Sequence, residues 1–220
     1  MEQTTLKYLR IFIPGLTLYI IVQIFYCIVL KKEINEVNFS DLGWPLIISI
    51  VLGVLYNSFD IRYNVTNYTH KKIDLNIKNH IINLYNGSLS PNQTQFLFQK
   101  NRLKQIFYKI IDNDPSLSIK KNNVFFNGLL WTSFADIFII TLFSSFLFIL
   151  YGIFGSYETD NILKYSGVLL IISLLSLLMH FQAFLKHVKL SNDQIEFIET
   201  NHINTVKELI EKSLNENNVN

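Results

Sequence analysis

Residues 121–158 read KNNVFFNGLLWTSFADIFIITLFSSFLFILYGIFGSYE, and the 36 positions between Lys121 and Glu158 carry one formal charge, Asp136. As a single α-helix those positions would extend about 54 Å, well beyond the roughly 30 Å of a bilayer's hydrocarbon core. The first part, 124–135, is therefore expected in the cytoplasmic interface with Trp131 as an anchor, and the span proper is expected to begin near Asp136. A carboxylate at or inside a bilayer is costly and persists where a partner, water or a function compensates it.

Working outward, three more stretches lack Asp, Glu, Lys and Arg: 11–30, 42–59 and 165–185, the last interrupted only by the titratable His180. With 137–157 they give four segments of 18 to 21 residues, each long enough to cross as a helix. The fold class is thus an all-α integral membrane protein with four transmembrane helices. A helical cytosolic insert lies between the second and third, and both termini are cytoplasmic. The domain plan is a first helix pair in 1–60, a basic helical insert in 61–121, a second pair in 122–185 and an acidic tail helix in 186–220. A composition of 50% hydrophobic and 16% charged residues excludes an ordinary soluble domain. The first apolar run is too long for a cleaved signal peptide and no small-residue cleavage site follows it, so it is read as an anchor. Cys27, the one cysteine, supports neither a disulfide framework nor a metal cluster.

Orientation follows from charge. Residues 61–121 hold ten Lys and Arg against three acids, whereas 191–220 hold six acids against Lys207 and Lys212. By the positive-inside rule the basic segment is cytoplasmic, and 31–41 and 156–164 are short outer loops. Five Asn-X-Ser/Thr triplets begin at Asn38, Asn64, Asn67, Asn86 and Asn92. Four of them fall in the segment expected to be cytosolic, so they are read as chance products of an Asn-rich sequence from an AT-rich bacterial genome.

Local signals divide the insert and tail. The second helix is expected to continue past Phe59, with Ile73, Ile77, Ile81, Leu84 and Tyr85 at helical spacing up to a stop at Asn86-Gly87. Ser90-Pro91-Asn92-Gln93 offers an N-cap, a first-turn proline and a capping-box glutamine. The next helix carries Phe96, Leu103, Phe107 and Ile110 on one face and ends at Asp112-Asn113-Asp114-Pro115. That cluster fails the calcium-loop pattern, with Leu117 in place of the glycine and Asn123 in place of the glutamate, and Asp114 reads as an N-cap. Ser191 with Gln194 suggests a cap for the tail helix, whose stripe is Ile195, Ile198, His202, Val206, Leu209 and Leu214. Pro14-Gly15 is expected to loosen the first span near its start.

The candidate site residues follow from this layout. Asp136 is read either as a helix-start carboxylate favoured by the helix dipole or as a gating or coupling partner of His180. The two lie at depths differing by roughly 6 Å on antiparallel spans. Ser144, Ser145, Ser173, Ser176 and Gln23 are read as interhelical hydrogen-bond glue. Lys100, Arg102, Lys104 and Lys109 are candidate lipid or partner contacts. Topology and anionic-lipid contact rank first for them, docking of the acidic tail or of a protein partner second, and direct nucleic-acid binding is not expected. The remaining histidines lack metal-ligand spacing, and no phosphate loop, nucleophile elbow or zinc motif occurs, so neither a catalytic site nor a cofactor is nominated.

In span count, orientation and size the chain resembles small multi-pass membrane proteins of bacterial antiviral loci, such as the membrane subunit of the Kiwa system and the membrane accessory of type VI-B CRISPR systems. The resemblance implies a role beside a cytosolic nucleic-acid-binding protein, linking detection to membrane integrity. The expected function is a non-enzymatic inner-membrane effector or regulatory accessory, homo-oligomeric, with a cytosolic protein partner on the basic insert and any pore formed between subunits. The alternatives are a membrane immunity protein that neutralises a toxin by contact, and a lipid-modifying enzyme whose acid–base pair is Asp136 and His180.

Overall fold

A computed structural model describes residues 3–30, 43–154 and 159–216. Within them the helices are α1 (Gln3–Val29), α2 (Gly43–Ser58), α3 (Ile61–Asn83), α4 (Pro91–Phe98), α5 (Arg102–Asn113), α6 (Pro115–Phe154), α7 (Thr159–Asn201) and α8 (Ile203–Asn215), with a 3-10 turn at Gln99–Asn101. No strand occurs among the described residues. The expected outer loop 31–41 lies outside them, and the second expected loop is already helical from Thr159. Three helices, α1, α6 and α7, are long and apolar enough to cross a membrane. The pair α2 and α3, bent by 61° at their junction, makes a fourth if it is counted as one broken span. These lengths fit a multi-pass membrane protein.

The chain divides into two compact units, Met1–Thr66 with Gly128–Ala183 and Asn67–Asn127 with Phe184–Asn220. Helices α3, α6 and α7 each contribute residues to both.

In the first unit α1 and α2 pack at backbone contact. A Cβ built on Gly15 would lie 1.7 Å from the Ser49 carbonyl oxygen, and one on Gly53 would lie 2.0 Å from that of Ile11. Two glycines on opposite helices therefore suffice for a close-packed seam of the kind small residues permit in membranes. Pro14 does not break α1, which runs on through it. Its missing N–H leaves the Arg10 carbonyl, four residues earlier, without its helical donor. Beyond the seam, Ile21, Tyr56, Ile140, Phe148, Ile162 and Leu169 form the buried cluster, joining α1, α2, α6 and α7. The outward faces stay apolar: Ile47, Val51 and Leu55 on α2, Phe143 and Phe146 on α6, and Ile171, Leu174 and Leu178 on α7 are exposed. A belt of that extent is a lipid-facing surface.

The second unit has a core of its own. Ile73, Ile77 and Ile81 of α3, Leu84 in the turn after it, Leu97 of α4, Leu103, Phe107 and Ile110 of α5, and Val206, Ile210 and Leu214 of α8 are buried. Ser90 caps α4 in a complete capping box with Gln93. The helix expected to follow as one piece is broken instead, because Lys100 (φ 50°) and Asn101 (φ 58°) adopt the left-handed region between α4 and α5. Asp114 accepts the backbone N–H of Ser116 at 2.7 Å, capping α6 as its position before Pro115 suggested. Ser191 caps nothing: it lies inside α7 and its hydroxyl donates to the His187 carbonyl at 2.9 Å. The tail is therefore the end of α7 followed by α8, parted at His202, whose Nε2 meets Asp114 Oδ2 at 2.7 Å. Within α8 the buried positions are Val206, Ile210 and Leu214, with Leu209 of the expected stripe only half-buried.

Gly15→Ala and Gly53→Ala are expected to abolish stable packing of the first unit, because the clash is with backbone and cannot be relieved by a rotamer. Gly167→Ala, with nothing within 4 Å of the added carbon, should be neutral. Thermal unfolding in detergent checks the contrast. The hydrogen bond from His202, followed by the Ser116 and Leu117 amides, holds the Asp114 carboxyl below its ordinary range. A depressed carboxylate stabilises the fold above its unfolded-state value, about pH 4, and that stability is lost as pH falls through the lower folded-state value. Amide protection in α8, taken relative to the intrinsic exchange rate at each pH, should therefore fall on acidification below about pH 4, and Asp114→Asn should flatten that dependence.

Candidate functional site

The Asp136 carboxylate is 1% exposed. Its partners come from a helix junction. α2 ends at Ser58, Asp60 takes φ 50°, a conformation Asp tolerates better than most residues, and α3 begins at Ile61. The break places Arg62 in the first turn of α3, where its guanidinium forks onto the carboxylate: Nε donates to Oδ1 at 2.7 Å and Nη2 to Oδ2 at 2.6 Å. The Tyr56 hydroxyl donates to Oδ1 at 3.1 Å. The same Arg62 Nη2 donates to the Arg10 carbonyl at 3.1 Å, and Asn57 Nδ2 reaches that oxygen at 3.4 Å. This is the carbonyl that Pro14 leaves without a helical donor. One constellation thus joins α1, α2, α3 and α6 within the first unit.

The geometry and burial make this a tight ion pair. Arg is the side chain matched to bidentate carboxylate recognition, and at 18% exposure for Arg62 against 1% for Asp136 solvent screens the pair little. The added hydrogen bonds satisfy lone pairs that would otherwise carry a desolvation penalty. Such a pair gives orientation more surely than net stability, but losing one partner strands a buried charge.

His180 does not share this site. It is 2% exposed, and its Nδ1 lies 2.9 Å from the Trp131 carbonyl oxygen, with the two rings stacked at 6.0 Å. Trp131 and Asp136 are five residues apart on one helix, hence about 140° apart around its axis, so the carbonyl reaches α7 while the carboxylate turns toward α2 and α3. The structure brings Asp136 together with Arg62 and Tyr56, and His180 with Trp131; it does not assemble the expected Asp136–His180 pair. His180 belongs to a ladder. Ser145 pairs with Ser166 at 2.8 Å, Ser173 donates to the Phe138 carbonyl at 3.3 Å and His180 meets that of Trp131, each step seven residues along both antiparallel helices. This is interhelical glue at heptad spacing.

The basic candidates separate. Arg102 Nη1 donates to the Phe96 carbonyl at 2.7 Å while its guanidinium lies 3.6 Å over the Phe96 ring, and Lys104 pairs with Asp74 at 2.6 Å. Both brace the second unit. Lys100 and Lys109 are exposed. Among the described residues no group of three or more His, Cys, Asp or Glu side chains is placed to hold a metal ion.

Three participants, Arg62, Tyr56 and Arg10, were not singled out from the sequence. A signal for Arg62 exists: it is the sole Lys or Arg between Lys32 and Lys71, an isolated cation beside an apolar span. No protein-family model, curated protein or solved structure matches the chain.

Asp136→Leu and Arg62→Leu are each expected to destabilise the protein by about 3–5 kcal/mol, and the double variant by clearly less than their sum. A double-mutant cycle by denaturant unfolding in mixed micelles checks the coupling.

Proposed function

We propose that this chain is a four-span, non-enzymatic regulator or effector of the bacterial inner membrane, an accessory of the kind encoded in antiviral loci. In this reading it couples a cytosolic partner to membrane perturbation. The spans are α1, the bent α2–α3 junction, α6 and α7, with both termini, 67–127 and 184–220 on the cytoplasmic side. Their excess of Lys and Arg near the spans favours that side.

The observation that carries the reading is the fork between Arg62 and Asp136. It ties α3 to α6 inside the first unit, and both helices continue as uninterrupted helix into residues of the second. A partner that loads those residues strains the fork along continuous helices, and an ion pair in low dielectric is an all-or-none contact suited to two states. With the fork closed the helices stay packed; with it open, Asp136 and Arg62 become uncompensated charges that admit water between them. Pairing of copies through the exposed apolar faces would give such a breach the width of a pore. Lys100 and Lys109, exposed and free of the bracing roles of Arg102 and Lys104, are the basic positions left for a cytosolic partner.

Expression in a bacterial host with a potential-sensitive dye tests the coupling. Wild type should leave the membrane polarised, and Asp136→Asn should depolarise it. Arg62→Lys, which keeps the charge and loses the fork, should have an intermediate effect. Full polarisation in all three at equal membrane levels would overturn the proposal.

A further inference from the structure

The fork leaves a charge unanswered. Arg10 lies beside the fork on α1: its carbonyl accepts Arg62 Nη2 at 3.1 Å, and its guanidinium feels the charges of both Arg62 and Asp136. Arg62 has Asp136. The Arg10 guanidinium makes no hydrogen bond among the described residues, and its Nε is buried without a partner. The nearest acid in sequence to the α2–α3 break, Asp60, is exposed and forms no ion pair among the described residues. Arg10 as a whole is only half-buried, so the nitrogens at the end of its guanidinium are the ones open to an acceptor from outside the chain.

The chemistry narrows that acceptor. It must be an anion, because the cluster carries one net positive charge. It should offer several oxygens, because guanidinium groups match planar, multidentate recognition of phosphate and carboxylate. Its depth is set by sequence: Arg10 is the last charged residue before the charge-free run 11–30, which places it where an apolar helix meets the headgroup layer. Lys7, one turn earlier on α1, is exposed and has no place in the cluster.

We propose that Arg10, with Arg62 beside it and Asp136 as the internal counter-charge, forms a binding site for a phosphate-bearing anion. The phosphate of an anionic phospholipid at that depth and soluble inorganic phosphate share this chemistry. Occupancy supplies an acceptor for Arg10 and compensates the guanidinium that the fork leaves without a counter-charge. The inference rests on the membrane placement of the first unit and is independent of any leak, since its readout is binding.

The full chain in phosphatidylcholine nanodiscs, with and without phosphatidylglycerol, provides the test through its thermal unfolding midpoint and through titration with short-chain phosphatidylglycerol. Phosphatidylglycerol should raise the midpoint of wild type. Arg10→Gln should lose that increment and bind the lipid about tenfold more weakly, the loss expected for one charge-assisted contact, while Lys7→Gln should keep both. Arg10→Lys, which retains the charge, guards against misfolding and should keep part of the increment. Inorganic phosphate is the second arm: if it stabilises wild type but not Arg10→Gln and cancels the lipid increment, the site stands and its source is soluble. An equal increment in wild type and Arg10→Gln, or an equal loss in Lys7→Gln, would show diffuse surface attraction and overturn the proposal.

Discussion

A carboxylate shielded from water has to be compensated, and the first unit is organised around the arginine that compensates Asp136. For Arg62 to reach it, α2 must stop and α3 must restart at a new angle, which the left-handed Asp60 allows. For the arginine to be fully bonded, a carbonyl must be free nearby, and Pro14 frees that of Arg10 by lacking an N–H. For α1 to present that carbonyl, it must lie against α2 at backbone contact, which Gly15 and Gly53 permit. Each of these residues is a poor choice for an isolated helix. Together they make one ion pair geometrically possible.

The same helix serves a second partner by a different means. α6 turns Asp136 toward α2 and α3, and turns Trp131, Phe138 and Ser145 toward α7. Lipid tails are as apolar as leucine, so helices in a bilayer gain little from burying apolar area against each other. Association then rests on close packing and on hydrogen bonds of roughly 0.6–2 kcal/mol each. A ladder of Ser166, Ser173 and His180 at seven-residue spacing supplies these on one face without any charge. Charge is confined to the other, where it is compensated by Arg62.

Several features were legible in the sequence because they are local. The apolar segments, the capping box of Ser90 with Gln93 and the cap at Asp114 depend on residues within one or two turns. The failures were non-local or concerned phase. Arg62 lies 74 residues from Asp136 and read as one more topogenic charge in a basic insert. Depth alone put His180 within roughly 6 Å of the level of Asp136, but depth says nothing about which side of α6 a residue occupies, and the face decided the pairing. Ser191 with Gln194 matches a capping box, yet α7 runs through it, since a motif of four residues cannot outweigh continuous helix on both sides. The breaks at Lys100-Asn101 and His202 left no sign in composition, because no glycine or proline marks them.

The membrane character of the chain rests on α1, α6 and α7 and on the exposed apolar belt of the first unit, while its functional reading rests on the fork. Solid-state NMR in lipid bilayers, measuring dipolar coupling between the labelled Arg62 guanidinium nitrogens and the Asp136 carboxyl carbon, tests that contact most directly. The account predicts strong coupling from direct contact, and none between the Asp136 carboxyl and the His180 ring. Absence of the first coupling, or presence of the second in its place, would contradict it.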